Sequence, residues 1–238
     1  MKKSPVIVVT GASQGLGAAI ARALAREFPG ARLALVARSA RNLAVVARSC
    51  RMGRGGTVAT LACDVTDAVA VGAMAADVQK RLGVPSILVN NAGKFFGRPF
   101  LETTAAEFEG QLDVNLRSAF LVSRAFVPAM ARRGSGDVIN ISSIAGRQAY
   151  PNGAAYCAAK YGLTGLSAVM RAELKDKGVR VCCVHPGATW TPSWKGSGIS
   201  PRRMMPADDV AAAIMAVVRL GPRTVVEEIV LRPLPGDI

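Results

Sequence analysis

"VIVVTGASQGLGAAIARAL", residues 6–24, decides the fold. Its first five residues are all β-branched, as in a strand buried on both faces. Gly11, Gly15 and Gly17 then stand where that strand gives way to an Ala-rich helical stretch. A backbone without Cβ atoms lets N–H groups and the helix N-terminus come close to a pyrophosphate. A tight turn would also explain three glycines. Their place after a first strand and before a helix favours the phosphate reading.

Outward from this unit the same alternation continues. Strand candidates are "VIVVT" (6–10), "RLALVA" (32–37), "TVATLAC" (57–63), "SILVN" (86–90), "GDVINIS" (136–142), "VRVCCV" (179–184) and "VVEEIVL" (225–231). Helical patterns lie between them near 15–28, 40–52, 67–82, 104–132, 155–177 and 207–219. Strands alternating with helices imply right-handed crossovers and a parallel sheet covered on both faces. No repeat, low-complexity tract or linker divides the chain. The expectation is a single α/β domain over 1–238, a doubly wound parallel sheet of about seven strands.

Composition narrows the function classes. Half of the 238 residues are hydrophobic, enough for a substantial core without covalent staples. The net charge of +14 invites a nucleic-acid reading, yet no run of five or six Lys or Arg marks a phosphate-tracking arm. In the densest stretch, "RSARNLAVVARSCRMGRGG", Arg41, Arg48 and Arg51 share one side of a helix and read as a solvated face. Cys50, Cys63, Cys157, Cys182 and Cys183 form no CxxC and no metal-ligand spacing, so reduced thiols and no metal are expected. Cys182 and Cys183 alternate faces of a strand and read as small apolar residues. "MKKSP" runs straight into "VIVVT", too short for a signal-peptide core, and no apolar run reaches a membrane span of about 18 residues. A cytoplasmic protein with neither a nucleic-acid nor a membrane partner is expected.

"AAYCAAKYG", residues 154–162, carries Tyr156 and Lys160 four positions apart. On a helix that spacing puts phenol and ammonium on one face, about a turn apart. A packed Tyr beside a Lys that reaches water is the plain reading of the pair alone. It does not stand alone. "TGASQGLG", with its G-x-x-x-G-x-G spacing, "NNAG" (90–93), Asn115 in "DVNLRSAF", "INISS" (139–143), "YCAAK" (156–160) and "HPGATWT" (185–191) follow one another in the order and spacing of the short-chain dehydrogenase/reductase superfamily. Over essentially its whole length the chain resembles that superfamily.

The resemblance implies a Rossmann-type sheet, with a cofactor-binding part over about 1–140 and a catalytic and substrate part over about 141–238. It also implies a nicotinamide cofactor and a catalytic set of Asn115, Ser143, Tyr156 and Lys160. Ser143 is selected over Ser142 because the family serine lies thirteen residues before the tyrosine. Reducing a carbonyl needs a proton for the developing alkoxide, and an unperturbed Tyr has a pKa of about 10. A cation about 4 Å away contributes roughly 4 kcal/mol at an effective dielectric near 20. That is about 3 pKa units, enough to bring Tyr156 near neutrality. In the family such a lysine also binds the nicotinamide ribose, the serine donates to the substrate oxygen, and the asparagine holds a water that relays protons from the lysine.

Cofactor contacts implied by position are Gly11, Ser13, Gln14, Gly15, Leu16, Gly17, Arg38, Ser39, Asp64, Val65, Asn91, Ala92, Gly93, Tyr156, Lys160, Pro186, Gly187, Thr189 and Thr191. NAD-selective sites place an acid about 20 residues after the glycine loop. Here Ala37 stands at the acid's position, followed by Arg38, whose guanidinium can hold a 2′-phosphate. NADP(H) is therefore the expected cofactor, although Gln14 stands where many NADP-binding relatives carry a basic residue. Asp64 matches the position that bonds the adenine amino group; Asp67 is better placed to cap the next helix. His185, the one histidine, precedes "PG" at a strand end, where the family needs no titrating group.

"PGATWTPSW", "MMPADDVAA" and "RTVVEEIVLRPLPGDI" are similar to segments of bacterial sepiapterin-reductase-like members. Ser143, Tyr156, Trp190 and Trp194 would then border the substrate, an indole stacking on a planar heterocycle. Packing against the short flap near 192–205 is the other reading of Trp194. Three functions are left open: a reductase for a pterin side chain or similar small ketone, one for another substrate such as a 3-oxoacyl thioester, diketone or secondary alcohol, and a non-catalytic NADP(H)-binding sensor. The Ala-rich helices and the C-terminal strand resemble faces through which relatives form homodimers and homotetramers.

Overall fold

Val6–Thr10 (β1) is buried along its whole length because it lies inside the sheet, paired in parallel with β2 (Arg32–Ala37) on one side and β4 (Ile87–Asn90) on the other. The computed structural model describes residues 4–50 and 52–236; Arg51 and the two ends of the 1–238 domain lie outside the described residues. With β3 (Thr57–Ala62), β5 (Gly136–Ile141), β6 (Val179–Pro186) and β9 (Glu228–Leu231) these strands form one seven-stranded parallel sheet, ordered β3-β2-β1-β4-β5-β6-β9. The order reverses between β1 and β4, which opens a crevice at the carboxyl ends of those strands.

Helices cover both faces. α1 (Gly15–Glu27), α2 (Ala40–Ser49) and α7 (Ala207–Arg219) pack on one face over Ile7, Val9, Leu33 and Leu35. α3 (Ala68–Arg81) and α5 (Ser118–Arg133) pack on the other over Val8, Val36, Leu88 and Val138, with Phe126 at its centre. Fully burying one such side chain contributes roughly 1.5–3 kcal/mol. β1 is buried on both faces and reads as an unbroken β-branched run, whereas β3 exposes Thr57, Thr60 and Ala62. Asp67 caps α3, accepting from Val69 N and Ala70 N at 2.8 and 3.1 Å, as its position predicts.

Three differences from the sequence reading bear on the site. The stretch expected as one helix over 104–132 is α4 (Ala105–Leu112), a π-helical turn over Asp113–Arg117, and α5. The last strand is shorter than expected, beginning at Glu228. A two-residue parallel bridge, β7 (Thr189–Trp190) to β8 (Met205–Pro206), closes the base of the loop between them. α6 (Ala154–Leu174) carries Tyr156 and Lys160 and packs on α4, β6 and the turn after β5.

Candidate active site

The residues singled out by the sequence gather where the parallel strands end. After β1, Gly11 and Gly15 hold φ of +64° and +55°, a conformation side chains with a Cβ rarely adopt. Gly17 answers a different need: a Cβ there would sit 2.3 Å from Gly11 O and 2.5 Å from Asn91 Nδ2. Gln14, the residue before α1, makes no side-chain cap bond, and the first turn of α1 holds no acid. The start of α1 thus has neither a capping Gln14 side chain nor an acid in its first turn, an arrangement suited to an anion.

Arg38 is exposed just past β2, and Ser39 caps α2 by accepting from Asn42 N at 3.3 Å. Asp64 Oδ1 accepts from Thr66 N and Oγ1 at 3.0 and 2.8 Å. Those bonds, with the Arg38 guanidinium nearby, hold its carboxyl below the usual range. With a cation beside β2, no acid at Ala37 and a helix start suited to an anion, this donor set fits a dinucleotide with a 2′-phosphate. Val65 is buried in the core under α3, while Ser13 and Leu16 are partly exposed on the glycine loop. The Asn91 amide is turned inward, donating to Thr10 O at 3.0 Å and Gly11 O at 3.3 Å. It fastens the glycine loop to the segment after β4.

Lys160 is buried, and its Nζ donates to Ile141 O at 2.9 Å, at the end of β5. The same ammonium lies 5.6 Å from the Tyr156 ring centre. Burial lowers the Lys160 pKa to about 8, because a cation loses hydration there. Burial raises the Tyr156 phenol to about 12, offset in part by the Ser143 side chain. The expected near-neutral Tyr156 is therefore not found. Desolvation is the largest cause of the shift, and the Lys160 ammonium is directed at a backbone carbonyl. Ser143, just past β5, has its hydroxyl oriented by Ala145 N, which donates to Oγ at 3.1 Å.

Asn115 is buried within the π turn. Its Oδ1 accepts from Lys94 N at 3.1 Å, and its Nδ2 lies 2.9 Å from Lys94 O and 3.1 Å from both Gln111 O and Oε1. The side-chain amide clamps the loop after β4 on both of its backbone groups. A Cβ at Gly93 would lie 2.7 Å from Asn115 Oδ1 and 3.6 Å from Lys160 Nζ, so this loop passes directly over the pair.

From the other side, Gly187 N donates to Leu231 O at 2.7 Å, Thr189 Oγ1 donates to Gly187 O at 2.9 Å, and buried Pro186 ends β6. A Cβ on Gly15 would meet the Thr191 side chain at 3.2 Å, so the loop after β6 closes against the glycine loop. Trp190 pairs with Pro206 in the two-residue bridge, and Trp194 lies in a single 3₁₀ turn whose N–H reaches Thr191 O. The ring beside Tyr156 is neither indole but Phe95, edge-on at 5.1 Å and 84°. Phe95 and Gln111 escaped the sequence reading. The "KFFG" after "NNAG" and the four-residue spacing from Gln111 to Asn115 were their only signals.

A doubly wound sheet with a glycine loop after β1 and, beyond β5, a half-buried Tyr156 one helical turn from a buried Lys160 defines an oxidoreductase site. The family model for short chain dehydrogenases matches residues 5–199, and the chain belongs to that family. It is 34% identical over 240 residues to sepiapterin reductase of Chlorobaculum tepidum, covering 98% of each protein. It is 36% identical over 219 residues to D-threitol dehydrogenase of Mycolicibacterium smegmatis, covering 87% of this chain and 83% of that protein. The structure of an alcohol dehydrogenase from the archaeon Thermococcus sibiricus, complexed with 5-hydroxy-NADP, superposes with a TM-score of 0.88 at 31% identity, covering 97% of each chain. No described helix is long and apolar enough to cross a membrane, and no described group of three or more His, Cys, Asp or Glu could hold a metal ion. All five cysteines are buried free thiols.

Proposed function

We propose that the protein is an NADP(H)-dependent carbonyl reductase that acts on a small ketone, with a pterin side chain such as that of sepiapterin as the leading substrate. The observation that carries this reading is the placement of Tyr156, Lys160 and Ser143 together beyond β5, against the loops that follow β1 and β4. Bound NADPH would supply the hydride. The chain's own residues supply the rest. Tyr156 holds its proton through neutral pH and delivers it to the oxygen that becomes an alcohol, a far stronger base than a phenolate. Ser143 donates to that oxygen as charge builds on it. Lys160 stabilises the phenolate left behind and is placed to bond the ribose. Arg38 holds the 2′-phosphate, and the start of α1 the pyrophosphate.

The sepiapterin reductase relative, alike over 98% of both chains, supports the pterin reading. The D-threitol dehydrogenase relative supports a second one, a secondary alcohol or polyol handled on the same machinery. An NADPH-oxidation screen over sepiapterin, a diketone, a quinone and a 3-oxoacyl thioester, with NADP-dependent oxidation of threitol alongside, separates them. Sepiapterin turned over with the highest kcat/KM is the expected result. Activity on threitol with none on sepiapterin would overturn the pterin assignment and keep the family.

A further inference from the structure

His185 is the single histidine of the chain and is fully buried at the end of β6. Its Nδ1 lies 3.1 Å from the backbone carbonyl oxygen of Ser143. A carbonyl only accepts, so Nδ1 must carry the hydrogen. In the neutral ring Nε2 is then a bare lone pair, and it faces Glu228 Oε2 on β9 at 3.2 Å. Two acceptors oppose each other, and Nε2 has no aligned hydrogen bond. The same Oε2 receives the guanidinium of Arg147.

Arg147 and Ser143 are the two ends of one 3₁₀ turn. Ser143 precedes it and Arg147 ends it, donating its N–H to Ile144 O at 2.9 Å. One imidazole therefore touches the carbonyl that begins the turn and competes for the carboxylate that anchors its end. We propose that His185 is a positioning residue for Ser143: proton uptake at Nε2 makes a new bond to Glu228, draws that carboxylate from Arg147, and shifts the turn that presents the Ser143 hydroxyl.

The charged groups facing the ring are Glu228 from β9 and Arg147 beyond the turn. Burial lowers the His185 pKa and Arg147 adds to this, while the Ser143 carbonyl and Glu228 raise it. The neutral ring with Nδ1–H is the form at physiological pH, and the imidazolium appears on the acid side of the ordinary histidine range.

Nuclear magnetic resonance on the wild-type protein tests this without any variant, because one imidazole gives the whole signal. The expected neutral form is the Nδ1–H tautomer. The amides of Ser143, Ala145 and Arg147 should shift with the same midpoint as the ring. An Nε2–H tautomer, or amides from 143 to 147 that ignore the ring's titration, would overturn the proposal. His185→Asn keeps an amide donor for the Ser143 carbonyl but takes up no proton, so those amide shifts should become flat with pH. If they keep the wild-type midpoint, the proton is not on His185.

The inference rests on the reductase reading only for its kinetic arm. On the substrate selected by the screen, kcat should fall about tenfold per pH unit below the ring's midpoint while KM for NADPH stays level. His185→Asn should keep its neutral-pH kcat within about threefold and lose that acid limb. A wild-type protein inactive on every substrate of the screen would count against the reductase reading, with the amide titration still deciding for or against His185.

Discussion

Tyr156 and Lys160 are both displaced from their ordinary pKa values by burial, in opposite directions, to about 12 and about 8. A phenol raised in this way keeps its proton, as the proposed reduction requires. Tyr156→Phe should lower turnover by roughly 10²–10⁴-fold while leaving NADPH affinity within about twofold, as isothermal titration with the intact protein would show. A phenylalanine variant with near-normal turnover would remove Tyr156 from the chemistry. Lys160 loses its charge earlier than an exposed lysine would, so NADPH binding should weaken as pH rises through about 8. A dissociation constant level from pH 7 to 9 would show that the ammonium does not hold the ribose. Arg38→Asp replaces attraction for a 2′-phosphate with repulsion, at a cost of several kcal/mol in NADPH binding and little in NADH binding. Retained NADPH preference would place the phosphate elsewhere. Ser143, Tyr156 and Lys160 were singled out in the sequence through the resemblance to the short-chain dehydrogenase family, since spacing alone left a packed Tyr beside a Lys that reaches water. The sequence could not show that Lys160 aims at Ile141 O, or that desolvation raises the half-buried phenol where charge alone predicts a lowering.

At the scale of elements, β1 was legible because burial on both faces leaves an unbroken β-branched run, and the other strands as short apolar stretches alternating with helical patterns. The edge strand β9, covered less, was overread by three residues at its start. The π turn was not legible at all. Asn115 read as a mediocre residue inside one long helix, whereas its amide must reach the Lys94 backbone, and the widened turn presents it there. That contact is long-range, and neither periodicity nor propensity contains it. Asn115→Ala should leave the Lys94 N–H and carbonyl without these partners and cost about 1–3 kcal/mol in urea unfolding. The loop carrying Phe95 should then become more accessible to protease near residues 93–97. A variant as stable as the parent, with the loop equally resistant, would show that the clamp does not hold it.

At the scale of the whole molecule, apolar side chains lie outside the two cores. Leu101 is 96% exposed and Phe100 78%, and Phe100 borders one hollow with Phe108 and Ala154. Phe120 on α5 and Tyr161 on α6 are also exposed. Exposed apolar groups that border one hollow, as Phe100, Phe108 and Ala154 do, suit a surface covered in an assembly. A two-fold homo-oligomer that buries this surface is the expected state, since an isologous contact covers one patch with its own copy. Each copy carries a net charge of +14, so association brings like charges together. Salt at 0.1 M screens beyond about 10 Å, while burial of apolar area is little affected or strengthened. The assembly should therefore tighten as salt rises, opposite to a complex held by ion pairs. Light scattering at micromolar concentration should show a dimer or tetramer, with Leu101→Lys or Phe108→Glu shifting it toward monomer. A wild-type monomer at every salt concentration would remove the oligomer. An assembly that instead weakens with salt would place the contact on a charged face rather than on this apolar one.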